Sequence, residues 1–536
     1  MAPFPLEIFN NIFSFTTHGT LLNCRLLNKD LGFLATSWAF RHVYLEAAGD
    51  MSLFVKISRT PHLRSRVREI SISTTLEPDF EYQVNQTLEF PMEFFLALPN
   101  LRSFSRLKKL NLKFNEYCGN QEADYTGYDI EENYDFRYWV MWNVFNCLTG
   151  EWTSRLSAEI YAELNVDVFE EGEEVDADTF FERITSTTGD GTENLSDAIE
   201  LEALTIGNLA GYDETRLTSS NFFKKVLSTA TELKLYVVFE NYEASPENAM
   251  YFSEPYDFME SLNKTWLAPE IAKNLRVLSL FCDNYWGWIP RMDFRDINPG
   301  TGLESGFPKL EVLALGNYIF SHEWQTDWFA SLGSQNRQGG LRELYLDDCP
   351  ILRHARFFGK LDETPGSIGY PTRESILARQ WGGEITQPYL LRWDHILSHW
   401  NTNMAALKIF RVGAGHWRSD QSNLVQEAYQ ELGLEWTSAH ENYFNHANFT
   451  TYDCAPGVEY HRDDAKGYSQ WSGGVGIRGD EDNIALQYIE YDQGIGPTQW
   501  MEERHQAYNT DIPKPQPKDV QALVDFRTTI ENRNKQ

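Results

Sequence analysis

Cysteine is scarce and scattered. Cys24, Cys118, Cys147, Cys282, Cys349 and Cys454 are the six in 536 residues, and no two stand at a C-x2-C spacing. That excludes the usual cysteine-rich zinc modules and any dense disulfide framework, and it fits thiols in a reducing compartment. Long apolar runs are missing too. No stretch approaches the ~18 uninterrupted apolar residues of a membrane-spanning helix, and Met1 to Phe15 carry no basic region ahead of the apolar ones. An intracellular protein, cytoplasmic or nuclear and without a membrane partner, is therefore expected. Positive charge is in deficit: 46 Lys and Arg face 78 Asp and Glu, a net charge of −32. Such a chain has no extended footprint for a phosphate backbone, so nucleic acid is not an expected partner. Gly-rich phosphate loops, a G-x-S-x-G elbow and an H-E-x-x-H helix are absent, so no catalytic residue, metal or cofactor is expected.

What is present suffices for a large core: 42% of residues are hydrophobic. The length suits two to four domains or one long repeat array. Residues 3–45 stand apart. Pro5 can open a helix, because its missing N–H would have no partner there. Ile8, Phe9, Ile12 and Phe13 recur at helical spacing. Thr17 to Thr20 interrupt the pattern, and Thr20 can cap a second segment that carries Leu21, Leu22, Cys24, Leu26 and Leu27. Asp30 to Ala39 can form a third helix, with Leu31, Leu34 and Trp38. Three helices in so short a stretch need a partner or a neighbouring domain to be stable. The apolar excess thus predicts a face that is covered, either by another protein or by the rest of this chain.

The run Pro5-Leu6-Glu7-Ile8, Ile12-Phe13-Ser14-Phe15, Leu21 to Lys29, Leu34-Ala35-Thr36 and Phe40 to Leu45 resembles the F-box, its fungal members above all. The likeness covers some 43 residues without gaps. It departs at Phe4, where Leu is common, and at Thr20, where an acid is common. The resemblance implies docking on the Skp-type adaptor of a cullin–RING ubiquitin ligase, with Pro5, Leu6, Ile8, Ile12, Leu21, Leu22, Cys24 and Leu26 at or supporting the contact.

Behind residue 60 a short motif recurs, L-x-x-L-x-L with other apolar residues allowed. It begins at Val67, Leu107, Leu201, Ala230, Leu275, Leu310, Leu341 and Leu407, at spacings of 40, 94, 29, 45, 35, 31 and 66 residues. Each copy alternates like a strand buried on one face. Leu341 to Ile351 is the fullest copy, and Leu107 to Asn115 keeps an Asn. The array resembles an irregular leucine-rich repeat. The chain is then expected to be α/β: a small three-helix N-terminal F-box over 3–46, followed by a leucine-rich-repeat-like solenoid with insertions over 60–415. The inserts fall at about 115–200 and 352–406, and a capping or extension region covers 416–536. A solenoid of this kind would display the residues between its apolar ones on a concave wall. Glu69, Lys109, Asn111, Lys234, Phe281, Tyr345, Asp347 and Arg411 are the expected protein-binding wall.

The first insert is acidic, with Glu131, Glu132 and Asp135 ahead of an aromatic run at Tyr138, Trp139, Trp142 and Phe145 that reads as a buried helix. A second cluster, Glu170 to Asp178, reads as solvated. Near the C-terminus His461-Arg462-Asp463, with His505 beyond, has the spacing of an iron-binding facial triad. The expected function is substrate recruitment for a Skp–cullin–F-box ubiquitin ligase. The alternatives are an F-box protein acting with the Skp adaptor outside a ligase, and a non-haem iron oxygenase.

Overall fold

In a computed structural model of the chain, the structure describes residues 5–74, 92–114, 118–119, 132–163, 181–182, 197–238, 253–297, 306–334, 340–347, 349–374, 383–413, 445–446, 449–450, 486–492, 500–501 and 515–535. It divides into two units. The first takes Met1–Asn115, Glu131–Thr205 and Ser219–Ala230, and the second takes Glu116–Ile130, Ile206–Thr218 and Thr231–Gln536.

The first unit opens with three helices, α1 (Leu6–Ser14), α2 (His18–Cys24) and α3 (Lys29–Ala39). Within three residues the chain has entered a strand, β1 (His42–Glu46). Helix α4 (Met51–Arg59) then leads to β2 (Glu69–Ser73) and, further on, β3 (Lys109–Lys113). These strands pair in parallel, Val43 opposite Ile70 and Ile70 opposite Leu110. Parallel pairing needs a crossover, and α4 supplies one, burying Phe54 and Ile57. Phe54 packs 5.3 Å from Phe104. Helix α5 (Tyr134–Thr149) is buried at every residue from Phe136 to Thr149. A helix buried on every side is a core element, and this one keeps even Arg137, Asn143 and Asn146 inside. After β4 (Ala203–Ala210) comes α6 (Asn221–Thr229), capped by Ser220, whose hydroxyl accepts from Phe223 N. Phe223 of α6 lies 6.0 Å from Phe145 of α5.

The second unit continues with β5 (Glu232–Val238), α7 (Glu254–Leu262), β6 (Val277–Trp286), β7 (Val312–Tyr318), α8 (Glu323–Gly333), β8 (Glu343–Asp347), β9 (Ile351–Phe358), β10 (Glu384–Pro388), α9 (Trp393–Asn403) and β11 (Ile409–Gly413). It ends with β12 (Tyr488–Asp492), β13 (Trp500–Met501) and α10 (Pro517–Lys535). Strands β5 to β8 and β11 pair in parallel, with Leu278, Leu313 and Leu344 in one row. A second, four-stranded sheet has the order β10-β9-β12-β13; β9 and β12 are parallel and the outer pairs antiparallel. Trp288, Phe357, Tyr389 and Tyr491 form an aromatic core against it. Trp393 and Trp400 of α9 are buried, and Phe410 of β11 meets Phe526 of α10 at 5.0 Å.

These findings correct the expected fold class. The large sheet holds nine strands in the order β1-β2-β3-β4-β5-β6-β7-β8-β11, so the molecule is α/β. The stretch expected to be a small three-helix F-box runs into β1, the first strand of that sheet, and the unit it opens is built on strands. A leucine-rich-repeat solenoid is not what the strands assemble. Both β4 and β7 are buried at every residue, as in a parallel sheet covered on both faces, whereas an open concave wall would leave alternate residues exposed. The eight apolar motifs do lie on strands, β2 to β8 and β11. The second sheet, drawn partly from the stretch read as an insert, has no place in a solenoid.

Candidate docking face on the N-terminal helices

Pro5 precedes α1 at φ −55° with no side-chain cap. A nine-residue helix is too short to hold itself in water, so tertiary packing must fix it. One stripe does that: Phe13 joins Leu21, Ala35 and Ala39 in a small core, with Cys24, Leu31, Leu34, Trp38 and Phe40 packed at its margin. The Trp38 indole N–H donates to Asn10 Oδ1 at 2.8 Å and ties α3 to α1. Asn28 caps α3 by accepting from Leu31 N at 2.9 Å, and Arg25 Nε donates to Thr36 Oγ1 at 3.1 Å. Gly32 permits the close approach of α2, since a Cβ there would stand 2.8 Å from Arg25 O.

The opposite stripe is bare. Ile8, Ile12 and Phe15 follow an i, i+4, i+7 spacing along α1 and are 43%, 52% and 86% exposed. Leu22, Leu26, Leu27 and Phe33 add 36%, 85%, 66% and 57%. Fourteen large hydrophobic side chains are exposed among the described residues, and seven of them fall between residues 8 and 33. Single exposed apolar residues are ordinary, but such a concentration marks an interaction surface. Of the residues expected at a partner contact, Pro5, Ile8, Ile12, Leu22 and Leu26 are exposed, Leu21 is buried in the small core and Cys24 is half-buried. Leu6 begins α1, but its side chain lies outside the described residues.

The expected wall residues fall into two groups. In the first unit, Asn111 is buried, and its Nδ2 donates to Glu69 Oε1 at 2.9 Å and to Ser71 Oγ at 3.1 Å. Ser71 Oγ lies 2.8 Å from His42 Nε2, and His42 Nδ1 lies 3.3 Å from Tyr44 OH. Burial lowers the His42 pKa against the pull of Glu69, and burial, then Glu69 and Glu46, push Tyr44 up to about 12. A neutral His42 fits this network: it accepts from the Ser71 hydroxyl and donates through Nδ1–H to Tyr44. The set ties three strands together by satisfied hydrogen bonds. Lys109 lies half-buried on β3. In the second unit Phe281 and Tyr345 are buried with Tyr236 and Ala314, and Lys234 and Arg411 are half-buried. Asp347 ends β8, its side chain outside the described residues. Alternation alone had assigned all eight to an open wall; the covering of both faces is not legible in it.

A cavity of about 440 Å³ in the second unit is lined by Tyr256, Trp288, Tyr370, Arg291 and Arg373 among others. Trp288 Nε1 donates to Tyr389 OH at 3.0 Å, and the Arg291 guanidinium lies 4.5 Å from the Tyr370 ring centre. Its cations already have acids: Arg373 meets Asp257 at 2.6 Å, and Arg291 meets Asp293 at 3.1 Å. Burial would raise Asp293, but the hydrogen bonds and charge of Arg295, then Arg291, overcome it and hold the carboxyl below the usual range. His322, stacked 4.1 Å from Tyr370, is driven by burial down to about 4. Sequence reasoning missed this cluster, which gathers residues from three stretches of chain around 256, 288–293 and 370–373.

Among the described residues no three His, Cys, Asp or Glu side chains are placed to hold a metal ion. No helix among them is long and apolar enough to cross a membrane. His461, Asp463 and His505, like the acidic run Glu170 to Asp178, lie outside the described residues. No protein-family model matches the chain, and no curated protein matches it.

Proposed function

We propose that the chain is a substrate-recruiting subunit of a Skp–cullin–F-box ubiquitin ligase. The N-terminal helices dock a Skp-type adaptor and, through it, the cullin, while the remainder of the chain holds a target protein. The observation that carries this reading is the concentration of exposed apolar side chains between residues 8 and 33, Ile8, Ile12, Phe15, Leu22, Leu26, Leu27 and Phe33, on the stretch whose sequence resembles the F-box. Full burial of a side chain of this size is worth roughly 1.5–3 kcal/mol, so several together can exceed the entropy lost on association. The protein catalyses nothing in this role. It raises the effective concentration of a target near the conjugating enzyme.

The test is a pull-down of the purified full chain with a purified Skp-type adaptor, wild type against Ile12→Asp with Leu26→Asp. Both positions are exposed, so the circular dichroism spectrum should not change, while a charge buried unpaired in the contact should weaken binding at least a hundredfold. A wild-type chain that fails to bind the adaptor refutes the reading. Adaptor binding that never brings cullin with it places the chain outside the ligase.

A further inference from the structure

Two stretches of the first unit carry a local charge opposite to that of the whole chain. Residues 41–68 and 101–113 hold eleven Lys and Arg against two acids, Glu46 and Asp50, in a chain of net charge −32. The parallel strands gather these cations. Arg68 N donates to Arg41 O and Lys108 N to Arg68 O, each at 2.8 Å, so the three residues form one row at the feet of β1, β2 and β3. Arg66 and Arg106 each stand two residues before a member of that row. Neighbouring strands are ~4.8 Å apart, which stacks like charges at short range.

Lys108 is relieved by Glu202 at 3.2 Å. Arg41, Arg66, Arg68 and Arg106 have no carboxylate partner among the described residues. Burial, then repulsion from Arg106, Arg41 and Arg66, lowers the Arg68 guanidinium from its ordinary value. Arg41 and Arg106 are exposed, and Arg66 and Arg68 half-buried. Arg66 lies over Phe33 at 4.2 Å and Arg41 over Trp38 at 5.0 Å, so the cations border the exposed apolar side chains. Like charges held together without a counter-charge destabilise the unit that bears them. An anion seated among them relieves that repulsion as it binds.

We propose that this arginine ladder docks an extended acidic segment of a partner protein, one with an apolar side chain to set against Phe33. Three strands span ~10 Å, which an extended peptide crosses in three to four residues at ~3.3 Å each. A nucleic acid fits less well. Its phosphates continue past the short ladder over a strongly acidic protein, and its backbone offers nothing apolar to Phe33. The inference does not rest on the adaptor reading, and its probe contains no adaptor.

The experiment titrates the full chain with a fluorescein-labelled peptide of about twelve residues, Asp and Glu with a central Leu, and reads anisotropy. Saturable binding at low salt is expected, weakening at least tenfold in Arg41→Gln with Arg106→Gln and again at about 0.3 M salt, where the screening length is on the order of 5 Å. Arg41→Lys with Arg106→Lys should retain binding, and so should Ile12→Asp. The proposal is overturned if the wild type does not bind, if the glutamine pair binds as tightly as wild type, or if Ile12→Asp abolishes binding and so moves the site onto the helices. Single-stranded DNA of equal charge that outcompetes the peptide also overturns it, in favour of a nucleic-acid site.

Discussion

Glu132 belongs to the acidic stretch ahead of the aromatic run, and it is buried. Its Oε2 accepts from Arg137 Nε at 2.7 Å, and the two side chains are 4% and 2% exposed. Oε1 accepts from the Thr74 hydroxyl, and the Arg137 guanidinium lies 5.1 Å from the Phe114 ring. The pair thus fastens the start of α5 to the end of β2. Arg137→Met strips the cation from a carboxylate that water cannot reach, which should destabilise the first unit by roughly 3–5 kcal/mol. Replacing both, Glu132→Leu with Arg137→Met, removes the desolvated charges together and should leave stability within about 1 kcal/mol of wild type or above it. Native-state hydrogen exchange on the amides of Tyr134–Thr149 reads the opening free energy of this unit without requiring the whole chain to unfold in one step. The reasoning fails if the single substitution lowers protection by less than about 1 kcal/mol, or if the double variant is as unstable as the single.

Three further outcomes follow from the second unit. His322 has a folded pKa of about 4, below its ordinary 6.5, so the unfolded chain binds more protons between those values and stability must fall as pH drops through that window. The loss is at most ~3 kcal/mol, and denaturant midpoints at pH 7 and 4.5 should differ by less in His322→Gln than in wild type. Asp519 accepts from Asp394 N at 2.9 Å, Gln516 N at 2.7 Å and Tyr488 OH at 3.1 Å. Asp519→Ala should destabilise the seating of α10 by roughly 2–4 kcal/mol, seen as faster proteolysis within Pro517–Lys535; unchanged cleavage would refute that role. A Cβ at Gly316 would stand 1.7 Å from Phe281 Cδ2, so Gly316→Ala should lower the thermal midpoint by an amount equivalent to roughly 1–3 kcal/mol, and Phe281→Leu should recover part of it.

Local periodicity located strands well and their assembly poorly. Ile70 and Ile72, Leu313 and Leu315, and Phe410 and Val412 sit on strands because alternation is a property of a few neighbouring residues. What lies over a strand is not. Phe281, Tyr345 and Asn111 occupy positions that alternation assigns to an open wall, and all three are buried by residues remote in sequence. The aromatic run at Tyr138, Trp139, Trp142 and Phe145 did disclose a buried helix, because its large rings recur near helical spacing. Glu132 was opaque for the opposite reason: its partner is only five residues away, but nothing in the pattern says that both are covered. The bare stripe on α1 was half legible. The sequence showed more apolar surface than three helices can bury among themselves, and only the packing of Phe13 told the inward stripe from the outward one.

The order of strands in the smaller sheet has a consequence for biosynthesis. Ile351–Phe358 lies beside Tyr488–Asp492, a partner made about 130 residues later. At ~5–20 residues per second, a ribosome leaves that strand without its neighbour for on the order of ten seconds. During that interval Phe357, Trp288 and Tyr389 have no Tyr491 to close over them, and an unpaired strand edge is open to any passing chain. The N-terminal unit, whose three described strand pairings and crossover helices are all made before residue 231, can fold on the nascent chain. The later unit must wait, and holding its aromatic surface in the meantime is work for a chaperone.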